Sequence, residues 1–431
     1  MRKVIYTIAL ILITLFVGCT RHENGTPEPV KSWRQFTAHT DNGAATKTTL
    51  DGEVGDPQRV VKWSPDDTIG VTADKKFEKF ANMGADTSST TTFQGYITEA
   101  SRYYAVYPYN EETYMSSSTL RMYLPQVQPY CEGSFASGVN PMVANISEGE
   151  ELDFHNICGV LILRMKGDFT VKAVHFEAKD SLGLPMSVSG FGEVDMNYED
   201  HPILSMNGNA GKMVTIDCGE GITLTSENET PFHLVLPPAV YHTFKITVIS
   251  TDGRIFVKEG KKPLVVSRSV AVKSGAFTPQ ELEYVDLSVD GTANSYIVSE
   301  AGLYSIDASV MGNGTLDGYL HTEEISIAPA SAEILWNDNK NPALVVAVYD
   351  QGSKTIKFLA TGEEGNALIA AKDGDGNVLW SWHIWCTDVP AIHKYVNSIG
   401  TFEVMDRNLG AIRGDRGVDN EWKESCGLEY Q

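Results

Sequence analysis

The sequence predicts an all-β protein made of tandem β-sandwiches, and three observations carry that reading. Short runs rich in Val, Ile, Thr, Tyr and Phe recur along the chain, among them Arg59-Val60-Val61-Lys62-Trp63, Thr68-Ile69-Gly70-Val71-Thr72 and Tyr103-Tyr104-Ala105-Val106-Tyr107. Gly, Asp, Asn and Ser punctuate them at short intervals. Long patterns of helical period are scarce.

The elements justify themselves in order. Met1-Arg2-Lys3 is a basic start, Val4 to Val17 is an apolar run broken only by Tyr6, Thr7 and Thr14, and Gly18 closes it before Cys19. That is the layout of a secretory signal peptide. It is shorter than the roughly 17–25 residues of a membrane-spanning helix. Residues 20–31 are polar, with Pro27 and Pro29, and read as a tether. Residues 32–150 form a first sandwich that opens on the alternating segment Ser32-Trp33-Arg34-Gln35-Phe36-Thr37. Residues 151–284 form a second. It contains the continuous apolar run Ile157-Cys158-Gly159-Val160-Leu161-Ile162-Leu163 and the hairpin Phe244 to Val257, turned by Thr251-Asp252-Gly253. Residues 285–390 form a third, closed by Val378-Leu379-Trp380-Ser381-Trp382-His383-Ile384-Trp385. Residues 391–431 are too few for an independent core and read as the truncated start of a C-terminal module.

Composition removes several function classes. The chain of 431 residues carries a net charge of −22, and no Lys/Arg run is longer than Lys261-Lys262. A nucleic-acid binder needs a basic face, so no nucleic-acid partner is expected. The six cysteines are Cys19, Cys131, Cys158, Cys218, Cys386 and Cys426. They show neither CxxC spacing nor a disulfide framework. No metalloprotease helix motif, nucleophile elbow or phosphate loop occurs. Asp373-Gly374-Asp375-Gly376-Asn377 invites a calcium reading. Counted from Asp373, Val378 stands at the glycine position and Ile384 at the glutamate position, so a tight turn is expected instead. No metal, cofactor or enzymatic activity is expected. Trp380, Trp382 and Trp385 are candidates for stacking on glycan rings, set against the blander reading of a strand buried on both faces. Met405-Asp406-Arg407-Asn408 reads as a structural Asp–Arg pair rather than a binding loop.

Two resemblances extend this reading. Phe16-Val17-Gly18-Cys19 resembles a bacterial lipobox, which implies that Cys19 is lipidated and anchors the mature chain. Thr48-Thr49-Leu50-Asp51-Gly52, Val61-Lys62-Trp63-Ser64-Pro65-Asp66-Asp67-Thr68-Ile69-Gly70-Val71, Phe93-Gln94-Gly95-Tyr96, Tyr103 to Tyr109, Pro141-Met142-Val143-Ala144 and the run Phe154 to Leu163, in that order, resemble fimbrillin-like proteins of Bacteroides-type bacteria. The resemblance implies transthyretin-like double β-sandwiches that assemble into pili by donor-strand complementation, after a protease cuts behind an arginine and frees the N-terminal strand. The candidate cut sites here are Arg34 and Lys47. Arg34 ranks first for its residue type, and Lys47 is second, a lysine in more open surroundings. Asp67-Thr68-Ile69 and Asp180-Ser181-Leu182 resemble the O-glycosylation acceptor of these bacteria, which makes Thr68 and Ser181 candidates.

The expected protein is therefore a non-enzymatic lipoprotein of the cell outer membrane, membrane-bound through Cys19 and acting in adhesion as a pilus tip or accessory subunit. Its expected partners are other fimbrillin subunits or a surface ligand. The alternative is an anchored glycan-binding lipoprotein that does not polymerise.

Overall fold

The structure is a computed structural model that describes residues 30–40, 62–146, 149–198, 201–208, 210–315, 325–338 and 342–412. Every regular element among them is a β-strand. The first unit is a closed barrel. Around it run the strands Lys31–Thr40, Glu151–Asn156, Met142–Ile146, Tyr103–Tyr107, Thr68–Thr72, Glu78–Asn82 and Thr90–Thr98, the last pairing with the first. Closure leaves the sheet with no open edge. Alternate residues point inward, and they fill the barrel with Phe36, Ile69, Phe80, Phe93, Tyr107 and Phe154 around Trp63. The Trp63 ring meets Phe93, Tyr107 and Phe154 edge-on at centroid distances of 5.1, 5.3 and 5.1 Å, the geometry aromatic quadrupoles favour.

The residues after Trp63 build a buried polar corner. The Asp67 carboxylate accepts from the Ser64 amide at 2.7 Å, the Tyr107 hydroxyl at 2.7 Å and the Ser137 hydroxyl at 2.9 Å. Burial nevertheless pushes the Asp67 pKa up, against those bonds. The Tyr107 oxygen accepts in turn from the Gly138 amide at 2.9 Å. The segment Trp63-Ser64-Pro65-Asp66-Asp67 thus fixes one turn of the barrel and ties the connection around Ser137 onto it.

The chain crosses between units more than once. Residues 114–135 lie in sequence between two barrel strands, yet Thr119–Leu124 pairs with Gly190–Asp195, and Val127–Cys131 runs parallel to Met213–Thr223. Together with later strands they make three layers. A three-stranded sheet of Thr230–Leu236, Gly159–Met165 and Ala271–Phe277 lies between a seven-stranded and a four-stranded sheet. Its middle strand is buried on both faces: Leu161, Leu163 and Met165 enter one core, while Val160 and Ile162 enter the other. This accounts for the unbroken apolar run at Ile157–Leu163, since a doubly covered strand has no polar face. The second core also takes in Phe77, Val106 and Val143 from outside the barrel, which docks the barrel onto the layers.

The third unit is a sandwich of two four-stranded sheets. One holds Tyr284–Asp286, Gly302–Asp307, Thr355–Ala360 and Leu344–Asp350; the other holds Ser295–Val298, Val378–Cys386, Gly365–Lys372 and Ser331–Asn337. Ile306, Phe358, Ile369, Trp382 and Ile384 fill the space between them. Asp373 holds the turn expected at 373–377, accepting from the Asn377 amide at 2.8 Å. Ile249 and Ile255, flanking the Asp252-Gly253 turn, pack against Leu303, Val346 and Leu359 and seat this sandwich on the second unit. A last hairpin, Ile392–Val396 with Thr401–Met405, has every strand residue exposed.

Candidate functional site

The feature with most functional content is the strand that closes the barrel. Lys31–Thr40 pairs antiparallel with Thr90–Thr98 from Lys31↔Thr98 to His39↔Thr90, and parallel with Glu151–Asn156 from Thr37↔Glu151 to Thr40↔Phe154. Its inward residues are Phe36, Ala38 and Thr40, at 1%, 0% and 4% exposure. The Phe36 ring lies 5.6 Å from Phe80 and 5.3 Å from Tyr103. Burying such a phenylalanine contributes about 1.5–3 kcal/mol. Withdrawal of this strand would leave two neighbouring strands with unpaired backbone groups and an apolar slot where Phe36 and Ala38 sat. Unpaired strand edges beside apolar pockets are what the addition of an extended, alternating segment requires.

The candidate cut sites fall differently around this strand. Arg34 lies inside it, opposite Gly95, with its guanidinium 2.8 Å from Glu99 and 3.8 Å from Glu150. A cut after Arg34 would leave Phe36, Ala38 and Thr40 in the barrel. Lys47 lies outside the described residues, as does Cys19.

The two glycosylation candidates also differ. Thr68 opens a barrel strand between Asp67, 5% exposed and held in the polar corner, and Ile69, 0% exposed. Its carbonyl accepts from the Tyr109 amide at 3.0 Å. Ser181 sits in an exposed turn, where the Asp180 carboxylate accepts from the amides of Leu182 and Leu184 at 2.8 and 2.9 Å.

Of the three tryptophans on Val378–Cys386, two are buried. Trp382 and Trp385 are both 0% exposed, on opposite faces of their strand, and offer no ring face to a ligand in this fold. Trp380 is half-buried and donates from Nε1 to Asn294 at 3.2 Å. Trp33 and Tyr96, 52% and 62% exposed, stand directly opposite each other on the outside of the barrel. Alternation along Ser32–Thr37 places Trp33 opposite in face to Phe36, but its exposure depends on the pairing partner, which the sequence does not specify.

Two polar clusters fasten the segment that follows the terminal hairpin. The Asn366 amide nitrogen donates to Asp338 at 2.6 Å and to the Gly410 carbonyl at 2.9 Å, which turns its oxygen to His383 Nε2 at 2.8 Å. His383 Nε2 therefore carries the proton, and Nδ1 accepts from the Ser295 hydroxyl at 2.7 Å. Burial lowers the His383 pKa to about 4, too low for a useful base at neutral pH. Arg407 donates to Asp388 at 2.6 Å, to Asp406 at 2.9 Å and to the Ile412 carbonyl at 2.7 Å. A cleft of about 260 Å³ beside it is lined by Glu300, Glu363, Glu364, Asp388 and the Cys386 thiol. Burial pushes that thiol up to about 12, which leaves it protonated and unreactive.

No protein-family model matches the chain, and no curated protein matches it. Several solved structures are similar to it, three of them as follows. One is described as a cell adhesion protein from Bacteroides fragilis, with 8% identity and a TM-score of 0.27 over 57% of this chain and 93% of that one. The second is a fimbrial protein from Bacteroides ovatus, with 13% identity and a TM-score of 0.23 over 57% of this chain and 50% of that one. The third is described as an adhesin from Bacteroides ovatus, with 14% identity and a TM-score of 0.20 over 62% of this chain and 98% of that one.

Proposed function

We propose that this chain is a fimbrillin-like, non-enzymatic surface lipoprotein that acts in adhesion as a tip or accessory pilus subunit and accepts a neighbour's strand in place of its own. The observation that carries the reading is the barrel closed by Lys31–Thr40, whose removal creates an acceptor groove lined by Phe80 and Tyr103. The cut that frees the whole strand falls between Thr40 and Lys62, and this favours Lys47 over Arg34 as the processed residue. The third sandwich, seated on the hairpin around Gly253, suits a terminal position better than a repeating shaft. Cys19 anchors the uncut form to the outer membrane, and Ser181 is the glycosylation candidate with an accessible side of the fold around it.

The test is the amino terminus of the protein recovered from cells. A mature chain beginning after Lys47, co-purifying with pili, is the expected result, and Lys47→Gln abolishes both features. A chain that still begins at lipidated Cys19 and never co-purifies with pili sinks the proposal.

A further inference from the structure

The outer face of the ladder between Lys31–Thr40 and Thr90–Thr98 carries an uncharged strip. Residues directly opposite each other on this face are Trp33 and Tyr96, then Gln35 and Gln94, then Thr37 and Thr92. None of the six is charged, in a chain whose residues are 21% charged and whose net charge is −22. Residues with acidic partners close both ends of the strip. Lys31 meets Glu78 at 2.5 Å, and His39 meets Glu151 at 2.8 Å while also bonding Thr90 at 3.1 Å. From Trp33 to Thr37 the strip runs roughly 14 Å along the strand. Gln94 Nε2 donates to the side-chain oxygen Oε1 of Gln35 at 3.1 Å. That bond leaves Gln35 Nε2 as a donor and Gln94 Oε1 as an acceptor, the pair that a sugar hydroxyl satisfies from both sides.

We propose that this strip binds a neutral glycan, with Trp33 and Tyr96 stacking on sugar rings and Gln35, Gln94, Thr37 and Thr92 meeting hydroxyls. Stiff aromatic side chains provide contact area at low entropic cost, and neutral amides and hydroxyls orient the ligand. Charge selects the ligand class: an uncharged strip on a chain of net charge −22 disfavours anionic polymers. An apolar protein partner is disfavoured as well, because the surface beyond the two rings is amide and hydroxyl. The site does not rest on strand exchange. It exists only while Lys31–Thr40 remains in the barrel, since that strand carries half of its residues.

The test is affinity electrophoresis of the full, uncut chain in native gels containing mannan, dextran, laminarin or heparin. Retardation by at least one of the neutral polysaccharides, but not by heparin, is expected. Trp33→Ala and Tyr96→Ala each weaken it by about tenfold. Tyr395→Ala leaves it unchanged, although Tyr395 is similarly exposed, at 61%. Both ring truncations remove exposed side chains, and an unaltered circular dichroism melt confirms that they fold. Three results overturn the proposal: no retardation by any neutral polysaccharide, full retardation of Trp33→Ala, or a self-association that Trp33→Ala abolishes in the absence of sugar binding. Failure here leaves the pilus assignment standing, because that assignment is read from the amino terminus of the cellular protein.

Discussion

Two segments near opposite ends of the described chain are fastened in opposite ways. Lys31–Thr40 is held by a backbone ladder on both sides and by the inward side chains Phe36, Ala38 and Thr40. Residues 406–412 are held by specific polar contacts: Arg407 to Asp388 and the Ile412 carbonyl, and Gly410 to the Asn366 amide. A ladder with apolar pegs accepts any strand of matching alternation, because backbone groups are common to all sequences. A convergent polar cluster accepts only the residues that complete it, and an incomplete one costs the desolvation of every group left behind. On the proposed function the N-terminal closure is the exchangeable one, and the C-terminal one is a fixed joint.

The sharpest way to break this comparison is at Phe36. Phe36→Ala removes the largest peg and is expected to cost about 3–5 kcal/mol of barrel stability, read by chemical denaturation. If the closure is exchangeable, a synthetic peptide spanning Lys31–Thr40, added in excess, restores the melting temperature of a chain lacking that strand. A Phe36→Asp version of the peptide does not. Failure of the intact peptide to restore stability would place the closure with the fixed joint.

The second prediction concerns acid. Burial holds His383 down to about 4 in the fold, against an ordinary value of 6.5. A group with a depressed basic pKa stays neutral when folded but takes up a proton when unfolded. The stability it contributes is thus complete above about pH 6.5 and is lost as pH falls from there toward 4, on the order of 2–3 kcal/mol. His383→Gln, which keeps a donor toward Asn366 and cannot titrate, should flatten this part of the pH profile. His175, also lowered to about 4 by burial and by Lys245, retains its own slope in that variant. The difference between the two profiles therefore isolates the joint.

The unequal legibility of the two closures has the same physical origin. Strand class, the Asp252-Gly253 hairpin and the Asp373 turn follow from local chemistry and were readable residue by residue. The run Ile157–Leu163 was legible as an apolar segment, and the structure adds that each of its faces is covered by a core. The pairing of Lys31–Thr40 with both Thr90–Thr98 and Glu151–Asn156 was not readable, because antiparallel and parallel partners lie far away in sequence and alternation names a face without naming a neighbour. The passage of residues 114–135 into the sheets of the second unit was hidden for the same reason. The tryptophans show the limit most plainly. Trp380, Trp382 and Trp385 form the conspicuous cluster in the sequence, yet Trp382 and Trp385 are packed away, while the unremarkable Trp33 faces solvent. The Asn366–His383–Ser295 chain was likewise invisible, since its members come from three strands brought together only by the sheet.

The smallest expected effect separates the joint from the hairpin it carries. Arg407 has a side chain 8% exposed, while its partner Asp388 is 68% exposed. Arg407→Ala therefore releases a carboxylate that water can solvate, and the global loss should be modest. The local loss should be clear: amide exchange over 406–412 quickens by about tenfold, equivalent to about 1.4 kcal/mol of local opening. Lys394→Ala, removing an ion pair to Glu403 whose members are 68% and 56% exposed, should change neither exchange at 406–412 nor overall stability by more than about 0.5 kcal/mol. If Lys394→Ala loosens 406–412 as much as Arg407→Ala does, the hairpin and not the arginine holds that segment. The C-terminal closure would then be as exchangeable as the N-terminal one.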